Sequence, residues 1–248
     1  MTKLRVLTYN IHKGFQHLRP ALIIDSIRQT LRTSHADVLF LQEVVGEHQG
    51  HAQTINGWPM MPQFEYLADE VWPHYAYGKN AVTTLSHHGN AILSKFPIQF
   101  FENIDISTNP RERRGLLHAK IHIPEAKRTL DLINLHLNLL HGGRKTQVDQ
   151  VIKRVVQTIP SDEPLIVGGD FNDWPNRLSD PLQKSLGLQE VFLQAEGRCA
   201  KTFPSFLPVL KLDRIYFRNL QVHHVIRFSG RPWSQLSDHL AIAADFIL

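Results

Sequence analysis

Acidic, amide and imidazole side chains recur at the ends of short apolar runs in this 248-residue sequence. They are Asn10, Gln42, Glu43, His136, Asp170, Asn172, Asp213, Asp238 and His239. Carboxylates at the ends of buried apolar runs cost free energy unless they are paired or bound to a cation. The placement of Glu43, Asp170 and Asp238 therefore predicts a site with oxygen ligands, which suits Mg²⁺ or Mn²⁺ better than zinc or copper.

The histidines beside these acids add the groups that hydrolysis needs. A neutral imidazole accepts or donates a proton near pH 7, and a carboxylate such as Asp213 can hold a histidine ring in one tautomer. Together these groups indicate metal-assisted hydrolysis. Taken alone, Asp170 or Asp238 is equally well explained as a helix cap or turn residue, and Asn10 and Asn172 as turn caps. Only the whole set favours a site.

Strand-like and helix-like patterns alternate along the chain and would position these side chains. Aliphatic and β-branched runs typical of strands lie at 4–9, 38–41, 91–93, 116–123, 130–137, 165–167, 212–217 and 240–247. Helical spacing predicts one helix over 21–31 and another that turns inward Val148, Val151, Ile152, Val155, Val156 and Ile159. Strands mixed with helices that are apolar on one stripe predict a layered α/β architecture, with helices outside the sheet.

Two segments, 45–62 and 196–211, carry Gly, Pro, His and Gln without a steady period. They are predicted to be long loops, which in compact domains usually serve function. No repeat, low-complexity tract or break in composition divides the chain. We therefore expect a single domain over residues 1–248.

The charge balance of the sequence points to an anionic partner. Lysine and arginine number 27 and aspartate and glutamate 23, so the net charge is +4, and the isoelectric point is about 9.2. Such a charge attracts nucleic acid, a phospholipid surface or a small phosphate ester alike. Hydrophobic residues at 42% and charged residues at 20% exclude a disordered, collagenous or coiled-coil chain.

Cysteine usage and the N-terminal segment bear on the compartment. Cys199 is the single cysteine, which excludes an internal disulfide and any zinc site with several cysteines. The first ten residues, MTKLRVLTYN, lack the apolar core of a signal peptide. No apolar run approaches the roughly 18 residues of a membrane-spanning helix. We therefore expect a cytoplasmic protein without a transmembrane segment, and we assume a monomer.

Seven segments resemble, in order, the signature segments of the endonuclease/exonuclease/phosphatase superfamily, which includes deoxyribonuclease I. They are YNIHKG (9–14), LQEV (41–44), GNAILS (89–94), NLHL (134–137), GGDFND (168–173), LDRIYF (212–217) and SDHLAI (237–242). The resemblance spans nearly the whole chain. It implies a four-layer α/β sandwich, in which two packed, mostly antiparallel sheets are flanked by helices and the site lies in a cleft at one edge of the sheets.

The resemblance also implies a metal site. Glu43 resembles the principal metal ligand of the family, and Asn10, Asp170 and Asp238 would complete the site or reach the ion through water. The implied cofactor is Mg²⁺, with Mn²⁺ as a second suitable ion. Asp170 is counted among the catalytic residues as well.

Further roles follow from the same resemblance. Asn172 would hold a phosphate oxygen or the attacking water, and His239, oriented by Asp213, would act on that water or on the phosphate. His136 resembles the second catalytic histidine, which stabilises the transition state or protonates the leaving oxygen. Arg114 resembles an arginine that binds the substrate phosphate, as Asn172 also would, and the neighbouring arginine at position 113 is its rival.

Some positions depart from the family pattern and bear on the substrate. Val45 stands where deoxyribonuclease I has an arginine used in the DNA minor groove, and His88 falls near the place of the carboxylate that partners the first catalytic histidine. The group that orients His136 therefore stays unnamed. His136 places the chain with the histidine-bearing branches, which include nucleases, sphingomyelinases and phosphoinositide phosphatases.

Two histidine pairs and one apolar loop each have two possible interpretations. The pairs 87–88 and 223–224 suggest zinc, although exposed loop or strand-end histidines are the favoured interpretation. A loop that contacts lipid is one interpretation of Phe203, Phe206, Leu207 and Val209; packing beneath the loop is the favoured one.

Three tryptophans are candidates for stacking on bases. Trp58, Trp72 and Trp233 are more simply explained as buried aromatics, and Trp233 is the best stacking candidate because it precedes the SDH segment by a few residues.

These observations predict a Mg²⁺-dependent phosphoesterase that cleaves phosphodiesters in preference to monoesters. The first hypothesis is a nuclease acting on DNA or RNA, because of the basic charge and the resemblance to deoxyribonuclease I. The second is a phospholipid or sphingomyelin-type headgroup phosphodiesterase or phosphatase, because of His136 and Val45. The third is a phosphate-binding protein without catalytic activity.

Overall fold

The computed structural model describes residues 2–16 and 21–248, so the domain predicted over 1–248 includes five residues outside the described ranges. The strands within those ranges are β1 (Lys3–Asn10), β2 (Val38–His48), β3 (His74–Val82), β4 (Ser86–Ser94), β5 (Ile98–Asp105), β6 (Gly115–Ile123), β7 (Arg128–His136), β8 (Leu165–Asp170), β9 (Gln189–Glu190), β10 (Asp213–Arg218), β11 (Gln221–Arg227) and β12 (Ile242–Ile247). The α-helices are α1 (Ile24–Thr33), α2 (Gln49–Thr54), α3 (Gln63–Ala68), α4 (His141–Thr158), α5 (Ser179–Leu186), α6 (Val191–Glu196) and α7 (Trp233–Leu236).

The strands form two six-stranded sheets. The first sheet has the order β11-β12-β1-β2-β4-β3, and the second has the order β5-β6-β7-β8-β10-β9. The pairs β1–β2 and β7–β8 are parallel, and the other neighbouring pairs are antiparallel. The predicted α/β sandwich of two mostly antiparallel sheets flanked by helices is therefore confirmed.

Each central strand buries both of its faces. Side chains alternate across a strand, so Val6 of β1 packs with Phe40 against the second sheet, whereas Leu7 packs with Ile27 of α1 on the outer side. Helices α4 and α5 cover the outer face of the second sheet through residues such as Val151. Burial on both faces explains why these strands read as continuous apolar runs.

The parallel pairs bring strand ends to one edge of the sandwich. In the register of β1 and β2, Asn10 lies opposite Gln42. In the register of β7 and β8, His136 lies opposite Asp170, and antiparallel pairing of β10 with β8 puts Asp213 opposite the same aspartate. Backbone pairing thereby brings polar residues from distant parts of the sequence together within each sheet: two in the first sheet and three in the second.

The prediction of a loop over residues 45–62 is wrong for its first residues. Strand β2 continues to His48, and α2 follows directly. The pairing of β2 with β4 shifts register between Leu41 and Val44 and again between Val45 and Glu47. These irregularities break the alternation of apolar and polar residues, which is the signal that identifies a strand in a sequence.

Other element boundaries differ from those predicted. Helix α1 begins at Ile24, three residues later than the predicted start, and β12 begins at Ile242. Val156, predicted to face inward, is 67% exposed on α4. The inward stripe is already filled by Val151 and Val155, so one further residue along the helix turns into solvent. Among the described residues, every helix is too short or too polar to span a bilayer.

Candidate active site

A cavity of about 340 Å³ lies at this edge of the sandwich. Its lining residues are Asn10, Glu43, Arg114, His136, Leu139, Asp170, Asn172, Trp174, Phe203, Leu210, Leu212, Asp238 and His239. Asp213 does not line the cavity, and instead lies fully buried behind His239. Apart from Asp213, the structure thus brings the site residues predicted from the sequence to one depression, from positions that are separated by up to 229 residues.

Glu43 reaches the cavity from an irregularity in β2. Its φ angle is 56°, in the left-handed region that residues other than glycine rarely adopt, and the register of β2 shifts around it. The Asn10 side-chain amide donates to Glu43 Oε1 at 3.3 Å and to Asp170 Oδ2 at 3.2 Å. Asn10 Oδ1 accepts from the backbone N–H of His12 at 3.1 Å. Asn10 therefore links the two carboxylates through its nitrogen, and direct metal ligation by its oxygen requires the amide to turn.

Two glycines allow the strand that carries Asp170 to pass close to its neighbours. A Cβ on Gly168 would lie 2.4 Å from the Phe40 ring, and one on Gly169 would lie 1.9 Å from the Leu135 carbonyl oxygen. The φ of Gly169 is 142°, which side chains disfavour. The GGD sequence is thus required by the packing that seats Asp170 at the end of β8.

Asp170 contacts several of the other polar residues of the site. Its Oδ1 accepts from the backbone N–H of Asn172 at 3.0 Å, and its Oδ2 lies 3.5 Å from His136 Nε2 and 3.7 Å from His239 Nε2. Burial raises the pKa of Asp170 to about 6, against the opposing influence of His239. A cation beside this carboxylate would favour its ionised form.

His239 and Asp213 form a buried hydrogen-bonded pair. His239 Nδ1 lies 2.9 Å from Asp213 Oδ2, and this contact leaves Nε2 directed toward Asp170. Burial alone lowers the pKa of His239, but the carboxylates of Asp213 and Asp170 outweigh it and raise the pKa to about 10. The hydroxyl of Ser237 donates to the Asn10 carbonyl at 2.7 Å and accepts from the His239 N–H at 3.2 Å. The SDH segment is thereby fixed to the end of β1.

The surroundings of His136 lower its pKa, whereas those of His239 raise it. Burial lowers the pKa of His136 well below the usual value, and the positive charges of Arg114 and His239 lower it further. An acidic group near the His136 ring is Asp170, whose Oδ2 lies 3.5 Å from His136 Nε2.

The two candidate arginines are separated by the structure. Arg114 lines the cavity, and its side chain is 15% exposed, with Nη2 3.7 Å from Glu112 Oε1. The Arg113 side chain is 50% exposed and lies 3.8 Å from Asp105 Oδ2, away from the lining residues. Arg114 is therefore the arginine placed to meet a bound phosphate.

The oxygen donors around the cavity fit a hard divalent cation. Glu43, Asp170 and Asp238 each present a carboxylate to the same depression, which is the donor chemistry that Mg²⁺ and Mn²⁺ prefer. Within residues 2–16 and 21–248, the tightest cluster of potential ligands is Asp170, Asp213 and His239, with donor atoms within 4.8 Å of one another. The hydrogen bond between Asp213 and His239 accounts for that cluster, so we favour Glu43, Asp170 and Asp238, the carboxylates that line the cavity, as the metal-binding set.

Comparison with known proteins agrees with this geometry. A model of the Endonuclease/Exonuclease/phosphatase family matches residues 7–239. The chain belongs to this family. YbhP, an uncharacterized protein of Escherichia coli strain K12, is 41% identical over 244 residues, covering 98% of this chain and 96% of its own. The resemblance identified from the sequence motifs is confirmed.

Solved structures of the endonuclease/exonuclease/phosphatase family share the fold. A Beutenbergia cavernae member has a TM-score of 0.79 at 19% identity, covering 100% of this chain and 72% of that one. D. rerio TDP2 complexed with single strand DNA product has a TM-score of 0.71 at 19% identity, with 100% of both chains covered. Family membership supports an enzyme of the phosphoesterase or nuclease type, and divalent-metal dependence is typical of the family.

Within this family member, Trp174 is a site residue that the sequence analysis did not single out. It lines the cavity, is 48% exposed, and its ring lies 5.0 Å from the Arg144 guanidinium carbon. Its position four residues after Asp170 was the available signal. Trp233, the best stacking candidate from the sequence, is buried against Tyr9 at a ring distance of 5.7 Å, which confirms the favoured interpretation of a buried aromatic. The Trp side chain of α7 fills the core beneath the SDH segment.

The remaining aromatic and histidine candidates lie outside the cavity. Trp72 is buried, and Trp58 packs against His51 beside a different cavity. Neither the 87–88 nor the 223–224 histidine pair belongs to a cluster of three potential ligands in the described part of the chain. Val45 is buried on β2 and is not among the residues that line the cavity.

The loop over 203–209 does not pack as expected. Phe206 and Leu207 are each 63% exposed and Val209 is 52% exposed, so the favoured interpretation of packing beneath the loop is wrong for these three residues. Phe203 does pack inward, with its ring 5.1 Å from that of His239. Pairing of Phe203 with Leu210 closes the segment into a hairpin whose tip extends outward.

Proposed function

We propose that this protein is a Mg²⁺-dependent phosphodiesterase that cleaves the backbone of nucleic acids. The observation that carries the proposal is the buried His239–Asp213 pair, whose free Nε2 faces Asp170 in a cavity lined by further carboxylates. A positioned imidazole beside a cluster of metal-type ligands is the apparatus of phosphoester hydrolysis by water.

Glu43, Asp170 and Asp238 would hold the cation, with Asn10 as a ligand after its amide turns. When bound, the ion supplies positive charge that offsets the charge of the phosphate oxygens. The three acids need such a partner because phosphate esters are anionic and would otherwise be repelled from the cavity.

The other side chains position the substrate and move protons. Asp213 holds the His239 ring so that Nε2 exchanges the proton with the attacking water or the phosphate. Asn172 is fixed by its bond from Nδ2 to the Leu137 carbonyl at 3.0 Å, and its backbone N–H is bonded to Asp170. Neutral His136 donates a hydrogen bond to the phosphate or the leaving oxygen, and the arginine at 114 binds a phosphate oxygen.

A nucleic-acid substrate is supported by charge and by an exposed aromatic ring. The net charge is +4, and Trp174 offers a flat surface at the cavity on which a base can stack. The similar fold of TDP2 is known in complex with single strand DNA product. We propose a cytoplasmic enzyme that acts on DNA or RNA.

A phospholipid headgroup is the second candidate substrate. The specific observation in its favour is the hairpin tip, where Phe206, Leu207 and Val209 are exposed beside the cavity walls formed by Phe203 and Leu210. Exposed apolar groups of this kind are typical of surfaces that contact a membrane or a protein.

The decisive experiment measures turnover of several substrates by the purified chain with Mg²⁺. We expect cleavage of bis(p-nitrophenyl) phosphate and of oligonucleotides, and no release of phosphate or headgroup from phospholipid vesicles. Headgroup release without oligonucleotide cleavage would replace the first substrate class by the second. Binding of phosphate esters without any turnover would leave a phosphate-binding protein.

A variant pair on one strand tests the metal assignment. Glu43→Gln should lose Mg²⁺-dependent turnover by about 10²-fold or more, because one carboxylate ligand is removed. Glu47→Gln, an exposed position on the same strand, is the matched control and should keep the wild-type rate. An unchanged rate in Glu43→Gln would remove the metal assignment.

A further inference from the structure

A second cavity, of about 470 Å³, lies outside the candidate active site. Four cationic side chains line it, and one acid, Glu196, accompanies them; the cations are Arg198, Lys201, Lys211 and Arg227. We call this cavity the basic pocket. Its cations outnumber its acids by three, and it is larger than the active-site cavity of about 340 Å³.

In the described part of the chain, no carboxylate oxygen lies within 4.0 Å of any of the four cations of the basic pocket. Elsewhere, Arg5 and Arg154 contact carboxylates at 2.6 Å. The Arg227 guanidinium is held by a bond to the Lys201 carbonyl at 3.3 Å. Converging positive charges without counterions raise the local concentration of anions.

A hairpin over residues 202–212 separates the basic pocket from the active site. It is closed by bonds between the Thr202 N–H and the Leu210 carbonyl, and between the Leu210 N–H and the Phe203 carbonyl, each 2.8 Å long. Phe203, Leu210 and Leu212 line the active-site cavity, whereas the lysines at 201 and 211 line the basic pocket. The two cavities therefore lie on opposite sides of one hairpin.

The hairpin is tied to the segment that carries the catalytic groups. The Ser205 N–H donates to the Asp238 carbonyl at 2.7 Å, and the Leu240 N–H donates to the Thr202 carbonyl at 2.8 Å. The basic pocket is thus held at a fixed place relative to His239. Fixed placement is what a second subsite for an extended substrate requires.

We propose that the basic pocket binds the phosphodiester backbone of a nucleic-acid strand whose scissile phosphate lies in the active site. The inference rests on the proposed phosphodiesterase function. A strand carries one negative charge at every nucleotide, so a strand that crosses the hairpin brings further phosphates to this pocket. Arg198, Lys201 and Arg227 are exposed and Lys211 is half-buried, so the phosphates of a strand that lies across this surface can reach them.

The test compares binding of labelled single-stranded oligonucleotides of 4 and 16 nucleotides by fluorescence anisotropy, without divalent metal so that no cleavage occurs. In Lys201→Gln/Lys211→Gln, the Kd of the 16-mer should rise by about tenfold, and the slope of log K against log salt should become shallower by about 1.4, or 0.7 for each lost phosphate contact. Binding of the 4-mer should change little.

Controls separate the pocket from general surface charge and from misfolding. Lys3→Gln/Lys153→Gln removes the same charge from exposed positions outside both cavities and should bind the 16-mer like the wild type. Lys201→Arg/Lys211→Arg keeps the charge and should restore binding. Turnover of bis(p-nitrophenyl) phosphate with Mg²⁺ should be unchanged in every variant, because this substrate is too small to reach the basic pocket.

The outcomes distinguish the pocket from the proposed function. Unchanged 16-mer binding in the pocket variant, an equal loss in the control, or wild-type binding to anionic vesicles but not to oligonucleotides would overturn the inference. Absence of bis(p-nitrophenyl) phosphate turnover in the wild type would instead count against the proposed function, while the binding difference would still decide the pocket.

Discussion

The two buried histidines of the site differ in charge because of the groups that face each ring. Asp213 and Asp170 raise the pKa of His239 to about 10 despite its burial. Burial lowers the pKa of His136, and Arg114 lowers it further. Two titratable groups whose surroundings drive their pKa values apart are suited to separate acid and hydrogen-bonding roles in one reaction. Single-residue changes in this set should therefore affect the rate more than the fold.

Replacement of Asp213 by Asn should lower kcat by about 10²- to 10⁴-fold with little change in KM. The asparagine would hold the His239 ring without its negative charge and with the wrong tautomer preferred. Steady-state kinetics on a small phosphodiester measure the effect, with Asp180→Asn, which is 77% exposed on α5, as the control. Wild-type kcat in Asp213→Asn would reject the pair as part of the mechanism.

The adjacent arginines offer a matched comparison. Arg114→Gln should lower kcat/KM by about 10- to 100-fold because it removes a charge-assisted bond to the phosphate, whereas Arg113→Gln should stay within about twofold. The two variants have the same net charge, so general attraction of the substrate is held constant. Equal losses in both would show that overall charge, rather than a placed guanidinium, accounts for the effect.

Departures from regular strand geometry position the acids at the level of the elements. The irregularity in β2 turns Glu43 toward the cavity, and the close approach of β8 to β7 at Gly169 seats Asp170 opposite His136. In both places the backbone adopts a positive φ. Such conformations cost free energy and persist only where the surrounding structure enforces them.

Gly169→Ala should therefore destabilise the fold by about 2–4 kcal/mol, because its Cβ would lie 1.9 Å from the Leu135 carbonyl oxygen at an unfavourable φ. Gly142→Ala is the control, since a Cβ there meets no atom within 4 Å, and it should stabilise α4 by up to about 0.5 kcal/mol. Urea denaturation gives the free energy of unfolding of each variant. Similar stability of both variants would contradict the packing argument.

Polar contacts that join distant segments stabilise the molecule as a whole. The two sheets are linked in their interior by the Gln42 side-chain amide, which donates to Asn134 Oδ1 at 2.8 Å. Across β1 and β12, Arg5 lies opposite Asp245 and forms two bonds with its carboxylate, of 2.6 and 2.9 Å. The Arg5 bond lowers the pKa of Asp245, so this contact makes the global stability depend on pH.

Because the folded-state pKa of Asp245 is lowered, its contribution is present above the unfolded value of about 3.9 and is lost as the pH falls through the folded value. Asp245→Asn should reduce the free energy of unfolding by about 1–2 kcal/mol at pH 7, and the difference from wild type should shrink below about pH 4. Denaturation at a series of pH values measures this difference. A constant difference across the series would exclude the ion pair as its source.

The α/β class, the family and the polar residues at the strand ends were all predictable from the amino-acid sequence. Strands that are buried on both faces appear in the sequence as apolar runs. Polar residues such as Asp170 and His239 stand out because they lie at the ends of these runs. The edge strands β3, β5 and β11 were not predicted, since each exposes one face and carries a mixed composition. The strand predicted over 38–41 is shorter than β2, because the irregular pairing of β2 breaks the alternation of apolar and polar residues.

Which residues share a cavity became known from the folded chain and not from the sequence. The sequence left Arg113 as a rival of Arg114, did not single out Trp174, and did not gather Lys201 and Lys211 with the distant Arg227. A local pattern determines which side of its own helix or strand a residue occupies. The cavities form where strand ends and loops from separate elements meet, and no periodicity along the chain encodes those contacts.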